Sequence, residues 1–298
     1  MLSGVERKIE QFVSELNDKE VSRLYARLPQ GKRLRAKLIL HIAGPTLPAL
    51  KTAAVVEMIH AASLLHDDVI DDAYIRRSKP SLNALYGNKT AIMLGDILYS
   101  KGFFELNSIA PEIARLVSRA VTELSLGELK DVSLSREFNL DKERYLEMIY
   151  QKTASLIEAS AGAAALLAGK PKKAYMAYGK NLGMAFQMID DLLDITSDAE
   201  TLGKPALHDF AEGKTTLPYI YLHEELEPEK QKKLASLHAK QLKPEEAAWI
   251  QREMEERQIV QKCYLQARAL IEEAVELMQQ CGEETLSGIA LEMIERNF

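Results

Sequence analysis

Val55-Val56-Glu57-Met58-Ile59-His60-Ala61-Ala62-Ser63-Leu64-Leu65-His66-Asp67-Asp68-Val69-Ile70-Asp71 is the stretch on which the reading of this chain turns. It holds no Gly or Pro, so it reads as helix, and on a helix Asp67 and Asp71 lie one turn apart on one face with Asp68 beside them. Carboxylates clustered in this way repel by about 0.3 kcal/mol per pair, so a cation belongs among them. Hard oxygen ligands at this spacing suit Mg²⁺, which takes one or two carboxylates and completes its shell with water and phosphate oxygens. A solvated acidic face at a helix end is the alternative for one such motif.

A second copy changes the balance. Gly183-Met184-Ala185-Phe186-Gln187-Met188-Ile189-Asp190-Asp191-Leu192-Leu193-Asp194 repeats the i, i+1, i+4 pattern at the end of another apolar helical stretch. Two acidic triads facing one another across a cavity are the means to hold several metal ions and to clamp a diphosphate from both sides.

Working outward, the 298 residues are 47% apolar and 28% charged, the composition of a globular protein with a sizeable core. The balance of 38 basic and 44 acidic residues gives −6, and no basic stripe with interleaved aromatics occurs, which argues against nucleic acid as a partner. Cys263 and Cys281 are too few and too far apart for a disulfide framework or a metal knuckle. The N-terminus is charged almost at once, and the longest apolar run, 159–169, is about half of a membrane span. A soluble, cytoplasmic protein without a transmembrane segment is the expectation.

Ala, Leu, Glu, Lys and Met dominate, and alternating β-branched runs are missing, so the expected fold class is all-α. Prolines and glycines delimit helices near 3–17, 33–43, 49–72, 90–108, 112–134, 141–168, 172–196, 214–225, 229–239, 245–258, 261–281 and 284–296. Two longer connections, 74–89 and 197–213, each follow an acidic triad, where lids would sit. With no linker or repeat, one domain over 1–298 is expected, its motifs in 31–218. The polar helices of 226–298 then form peripheral scaffold with solvated charges.

An anion held by metal ions should also meet cations. Arg76 and Arg77 follow the first triad, and Gly31-Lys32-Arg33-Leu34-Arg35 opens a helix, where free N–H groups favour anions. Lys152 and Thr153 fall inside an apolar helix, an awkward place for an unpaired charge. Lys204 and Lys214 each follow a glycine. Gly213-Lys214-Thr215 is not a P-loop, because His208 stands where the earlier glycine belongs. Glu57-Met-Ile-His60 has the Glu-x-x-His spacing of di-iron bundles but no second copy.

These blocks together resemble the trans-isoprenyl diphosphate synthases, or polyprenyl synthetases: 31–35, 59–68, Lys152-Thr153, 183–194, and Gly203-Lys204-Pro205 with Gly213-Lys214-Thr215-Thr216-Leu217-Pro218. The resemblance, closest to medium- and long-chain members, implies an isoprenoid-synthase helical bundle around a deep central cavity, usually a homodimer. It implies Mg²⁺-dependent head-to-tail condensation of an allylic diphosphate with isopentenyl diphosphate, with about three ions bridging the allylic diphosphate. On this pattern Asp67, Asp68 and Asp71, with Asp190, Asp191 and Asp194, correspond to the metal-binding aspartates. Arg76 corresponds to the contact to the allylic diphosphate, and Lys152, Lys204 and Lys214 to the lysines that neutralise it as it leaves. Lys32, Arg35, His60 and Arg77 correspond to the isopentenyl diphosphate pocket, and Thr153, Phe186 and Gln187 to positions near the reacting carbons. The chain departs from the pattern at Ala36, usually proline, and at Gln30, usually glycine, which implies a less preorganised turn.

Ala62 and Ser63 lie one turn before Asp67, deeper in the cavity at about 1.5 Å per residue, where short-chain members often place an aromatic floor. Small residues there leave a path for a growing chain towards Met58 and Ile59, with Leu124 or Leu126 closing it lower down. A product of about C40, such as a quinone tail, is expected on that depth argument. Close helix packing at Ala62 and Ser63 is the alternative. A short-chain synthase, a non-catalytic partner subunit and a terpene cyclase are the competing readings; the intact second triad weighs against the last two. Membrane contact is expected only in passing, for product release.

Overall fold

A computed structural model describes residues 1–77, 79–196 and 207–295. Cα packing divides the chain into two compact units, 1–121 with 156–176, and 122–155 with 177–298.

The first unit is arranged about one helix. It contains α1 (Leu2–Ser14), α2 (Lys19–Tyr25), α3 (Leu34–Ala43), α4 (Leu47–Ile70), α5 (Leu82–Tyr86), α6 (Asn88–Leu106), the first part of α7 (Pro111–Leu134), nearly all of α9 (Ser155–Leu167) and the start of α10 (Lys172–Thr196). Thr46 caps α4 by accepting from the Ala49 N–H, and Pro48 sits in its first turn. Along α4, Ala53, Ala54, Val55, Val56, Met58, Ile59 and Ala62 are fully buried. A helix apolar on every side belongs in a core, and α4 packs against α1, α3, α5 and α6. Gly95 on α6 leaves room for the His66 ring, which a Cβ would overlap.

The second unit holds the rest of α7, α8 (Lys142–Ile149), the remainder of α10, and α11 (His208–Ala211), α12 (Leu217–Glu225), α13 (Pro228–Leu237), α14 (Pro244–Glu256), α15 (Ile259–Gln280) and α16 (Glu284–Glu295). Its core includes Tyr145, Tyr178, Phe210 and Tyr219, with Phe210 stacked on Tyr219 at 4.3 Å between ring centroids. Among the described residues no helix is long and apolar enough to cross a membrane.

The all-α class is borne out, with local corrections. A five-residue π-helix, Tyr150–Ala154, interrupts the single helix expected over 141–168. The supposed loop 74–89 contains the short antiparallel pair β1 (Ile75–Arg76) and β2 (Lys79–Pro80), then α5, capped by Ser81. Helix α2 was also unexpected, although Asp18 caps it by accepting from Glu20 and Val21. Both added helices are too short to show a period.

Not every charge of the C-terminal third is a solvated one. Glu253, 2% exposed, meets Lys230 at 2.6 Å, Arg257 at 2.5 Å and the Trp249 indole N–H at 3.1 Å. Burial alone would raise its pKa, but the Lys230 and Arg257 charges outweigh it and hold the carboxyl below the ordinary glutamate value. A depressed native pKa contributes stability above the ordinary carboxylate range, lost as the pH falls through the native value. Glu253→Gln should therefore lower stability by about 2 kcal/mol at pH 7, discounted because Lys230 is partly exposed. The gap to wild type in thermal melts should close at acid pH; an unchanged gap would show that ionisation of Glu253 contributes nothing.

Candidate functional site

In the first unit the chemistry gathers where α4 ends. Asp67 and Asp71 are half-buried and Asp68 is buried. Asp72 takes a left-handed backbone (φ 49°) that turns the chain out of the helix. The following segment then folds back on Asp68. The Arg76 Nε donates to its Oδ1 at 2.6 Å, and the Asn83 amide donates to its backbone carbonyl at 3.0 Å. Burial pushes the Asp68 carboxyl up, while Arg76 works in the opposite direction.

Guanidinium groups crowd the same region. Arg77 donates to the Pro29 carbonyl at 3.1 Å and lies so close to Gly31 that a Cβ there would come within 2.7 Å of it. Any side chain at 31 would displace Arg77. Arg33, at the N-cap of α3, makes two bonds to Glu6 at 2.7 and 3.0 Å and one to Glu57 at 3.4 Å. Burial opposes its charge, but Glu6 and Glu57 hold its pKa above the ordinary value. Burial lowers the pKa of Arg35, against Glu57. His60 is driven well below the usual imidazole range, first by burial and then by Arg35, Arg77, Arg76 and Arg33. Guanidinium groups of this kind can meet phosphate oxygens by charge and geometry, although the Arg33 donors are already taken by Glu6 and Glu57. Lys32 is exposed on the same turn.

Ala36 turns out to be more than a missing proline. Its N–H donates to the Glu57 Oε1 at 3.0 Å, a bond that proline cannot make. The expected loosening of this turn is offset by that contact. Glu57, discarded above as half of a di-iron motif, is 3% exposed and joins α4 to the start of α3.

In the second unit, Asp190 is exposed, and Asp191 and Asp194 are each 4% exposed. The Asp191 carboxylate is gripped on both oxygens, by the Tyr145 hydroxyl at 2.5 Å and the Gln187 amide at 2.9 Å. Thr153 in turn donates to the Gln187 Oε1 at 2.8 Å. Burial raises the Asp191 carboxyl well above its ordinary pKa, against those two donors, and the charges of Asp209 and Asp190 add to the rise. Asp194 accepts the Asp209 N–H at 3.1 Å, which docks α11. Phe186 is 40% exposed on α10.

Lys152 and Thr153 project from the π-helix. π-Turns are rare and concentrate at functional sites. This one is packed between two glycines: a Cβ on Gly127 of α7 would overlap the Lys152 amide nitrogen, and one on Gly183 of α10 would lie 2.5 Å from the Ala154 Cα. Lys152 is not unpaired, as feared for a lysine in an apolar helix, but meets Asp131 at 2.6 Å and Glu128 at 2.9 Å. Lys214 pairs with Glu212 at 3.2 Å, beside the Gly213 turn. Lys204, the Gly203-Lys204-Pro205 block and most of the supposed lid 197–213 lie outside the described residues.

Ala62, Met58 and Ile59 are fully buried and Ser63 nearly so; Ile59 contacts the Gly102 position of α6. Leu124 is 6% exposed, whereas Leu126 is 45% exposed, so Leu126 is withdrawn as a buried floor.

Sequence reading missed Glu57, Tyr145, Glu128, Asp131 and Asp209. Of these only Glu57 was singled out, for its spacing to His60 and not for its partners Arg33 and the Ala36 N–H. Glu128 and Asp131, one turn apart on α7, are a signal that could have pointed to Lys152.

The donor set fits Mg²⁺. Among the described residues no three carboxylate, imidazole or thiol groups converge into a ready cage. Carboxylates at a helix end beside guanidinium groups suit an ion that takes one or two carboxylates and completes its shell with water and phosphate oxygens.

Residues 19–256 match the polyprenyl synthetase family model. The octaprenyl pyrophosphate synthase of Helicobacter pylori has the same fold, with a TM-score of 0.94, 42% identity and 98% of each chain covered. The octaprenyl diphosphate synthase of Escherichia coli is 36% identical over 77% of this chain and 65% of its own. A short chain isoprenyl diphosphate synthase of Methanothermobacter thermautotrophicus is 34% identical over 78% of this chain and 76% of its own. For other curated relatives, from Synechocystis and rice, the match spans 41% to 64% of their length, less than two thirds. The matched region takes in both acidic triads and the arginine cluster, and on these grounds the chain belongs to the polyprenyl synthetase family.

Proposed function

We propose that this protein is a trans-prenyl diphosphate synthase that joins isopentenyl diphosphate to an allylic diphosphate. The observation that carries the reading is the set of arginines around a neutral His60, beside the acidic end of α4. Lys32, Arg35, Arg77 and His60 bind one diphosphate, and Arg76 binds the other beside Asp67, Asp68 and Asp71, which would hold Mg²⁺. Asp190 and Asp194 hold further metal; Asp191, expected as a third ligand, is buried with its oxygens on Tyr145 and Gln187, and we assign it to orienting Gln187. Mg²⁺ held by the other carboxylates would supply positive charge to the diphosphate leaving the allylic carbon. On the family pattern Lys152, Lys204 and Lys214 are the lysines that neutralise the leaving anion, Lys152 and Lys214 giving up their contacts to Asp131, Glu128 and Glu212 to do so. Thr153, Gln187 and Phe186 border the reacting carbons, and the apolar helices exclude water from the allylic cation. The isopentenyl double bond attacks that cation and the adduct loses a proton, so no side chain forms a covalent intermediate.

A long product is favoured by the small, buried Ala62 and Ser63 and by the octaprenyl names of two relatives. The short-chain name of the Methanothermobacter relative favours a shorter one. Ala62→Phe tests the path: products should shorten from about C40 to about C20, with about 1–3 kcal/mol of overpacking in the melt. Unchanged lengths would remove Ala62 from the path. Exposed Ile92, Met93 and Phe104 along α6 support a homodimer, checked by light scattering. A cytoplasmic setting with brief membrane contact for product release completes the reading. The enzymatic claim is tested by withdrawing the metal: EDTA should abolish turnover and Mg²⁺ restore it, whereas full activity in EDTA would overturn it.

A further inference from the structure

We infer that Glu57 is a positioning residue that sets the arginine pocket for isopentenyl diphosphate, an inference that rests on the synthase reading above. Its two oxygens serve different elements. Oε1 accepts the Ala36 N–H in the first turn of α3, and Oε2 meets the Arg33 guanidinium at 3.4 Å. Arg33 is also tied to Glu6 on α1, so a Glu6–Arg33–Glu57 relay joins α1, α3 and α4. The relay secures a turn that needs securing. Arg33 holds a left-handed backbone at φ 52°, which a residue with a Cβ adopts at a cost. Two residues on, the buried Arg35 Nε has no hydrogen-bond partner among the described residues. With no hydrogen bond to hold that nitrogen among the described residues, the position of Arg35 is taken to depend on the turn that Glu57 holds.

Charge and position make opposite predictions for Glu57. The isopentenyl diphosphate pocket and the relay behind it hold Lys32, Arg33, Arg35 and Arg77 against Glu6 and Glu57, so the formal balance is 4 − 2 = +2. Neutralising Glu57 would raise it to +3. If charge alone mattered, Glu57→Gln would bind a diphosphate more tightly. As a positioning residue, its loss weakens binding in spite of the gain in positive charge. The glutamine keeps the shape but turns an N–H₂ group towards either Arg33 or the Ala36 N–H, neither of which can accept a hydrogen bond. Glu57→Asp keeps the charge but cannot reach both partners.

The experiment is calorimetric titration of isopentenyl diphosphate into the whole protein in EDTA, with steady-state KM for each substrate in Mg²⁺. Both variants should raise the isopentenyl diphosphate Kd and KM by about tenfold or more, while the allylic KM stays within about twofold. Equal or tighter isopentenyl diphosphate binding by Glu57→Gln would overturn the inference. So would a loss shared equally by both substrates, the mark of a merely structural role. Should either variant fail to fold by circular dichroism, the half-exposed Glu6→Gln replaces it, with a smaller rise again confined to isopentenyl diphosphate; no rise would overturn the inference. Wild-type protein that neither binds nor turns over isopentenyl diphosphate would instead sink the synthase reading.

Discussion

Gly127→Ala is expected to cost about 3 kcal/mol of stability and to lower kcat about a hundredfold. The methyl group would overlap the Lys152 amide nitrogen and crowd the Gln151 side chain. Both neighbours belong to a π-turn that Gly183 also meets closely, at Ala154, so the turn has little room to retreat. Overpacking against backbone costs more than overpacking against a flexible side-chain end, which places this substitution at the upper end of about 1–3 kcal/mol. The kinetic loss follows from position. The π-turn carries Lys152 towards Asp131 and Glu128, and carries Thr153 into its hydrogen bond with Gln187. A displacement of about 1 Å in such groups is enough for a hundredfold loss. Thermal melts and kcat together check this, and a variant with wild-type values of both would show that α7 can move aside.

The second large effect separates the two acidic triads. Asp67→Asn should lower kcat about a thousandfold with little change in stability, because a half-buried carboxylate proposed to hold metal matters to the charge developing in the reaction. Asp191→Ala should do the reverse in kind, costing about 3 kcal/mol of fold stability. It strips acceptors from the Tyr145 hydroxyl and the Gln187 amide in a site where water cannot replace them. Melting temperature and kcat measured on both variants decide. Equal stability losses would mean that the two aspartates are used alike.

The acidic triads were legible because i, i+4 spacing on a helix is a local property, and so was α4, whose unbroken apolar sequence announced a core helix. What was not legible depends on distant partners. Nothing in Tyr150-Gln151-Lys152-Thr153-Ala154 signals a π-turn; its setting comes from glycines on two other helices. Lys152 looked stranded because its counter-ions stand on α7, some twenty residues earlier. The same holds for Glu57. Its spacing to His60 suggested a metal motif, while its actual partners, Arg33 and the Ala36 N–H, come from a helix that precedes it. Asp18 and Ser81 mark the reverse case, capping residues visible in the sequence at the head of helices too short for their period to be seen.

The most direct measurement is chromatography of the products formed from an allylic primer, farnesyl diphosphate, labelled isopentenyl diphosphate and Mg²⁺ by the purified protein. Label should enter a ladder of prenyl diphosphates that ends near C40, in keeping with the small residues at 62 and 63. Folded protein that incorporates no label with Mg²⁺ present would contradict the account at its centre.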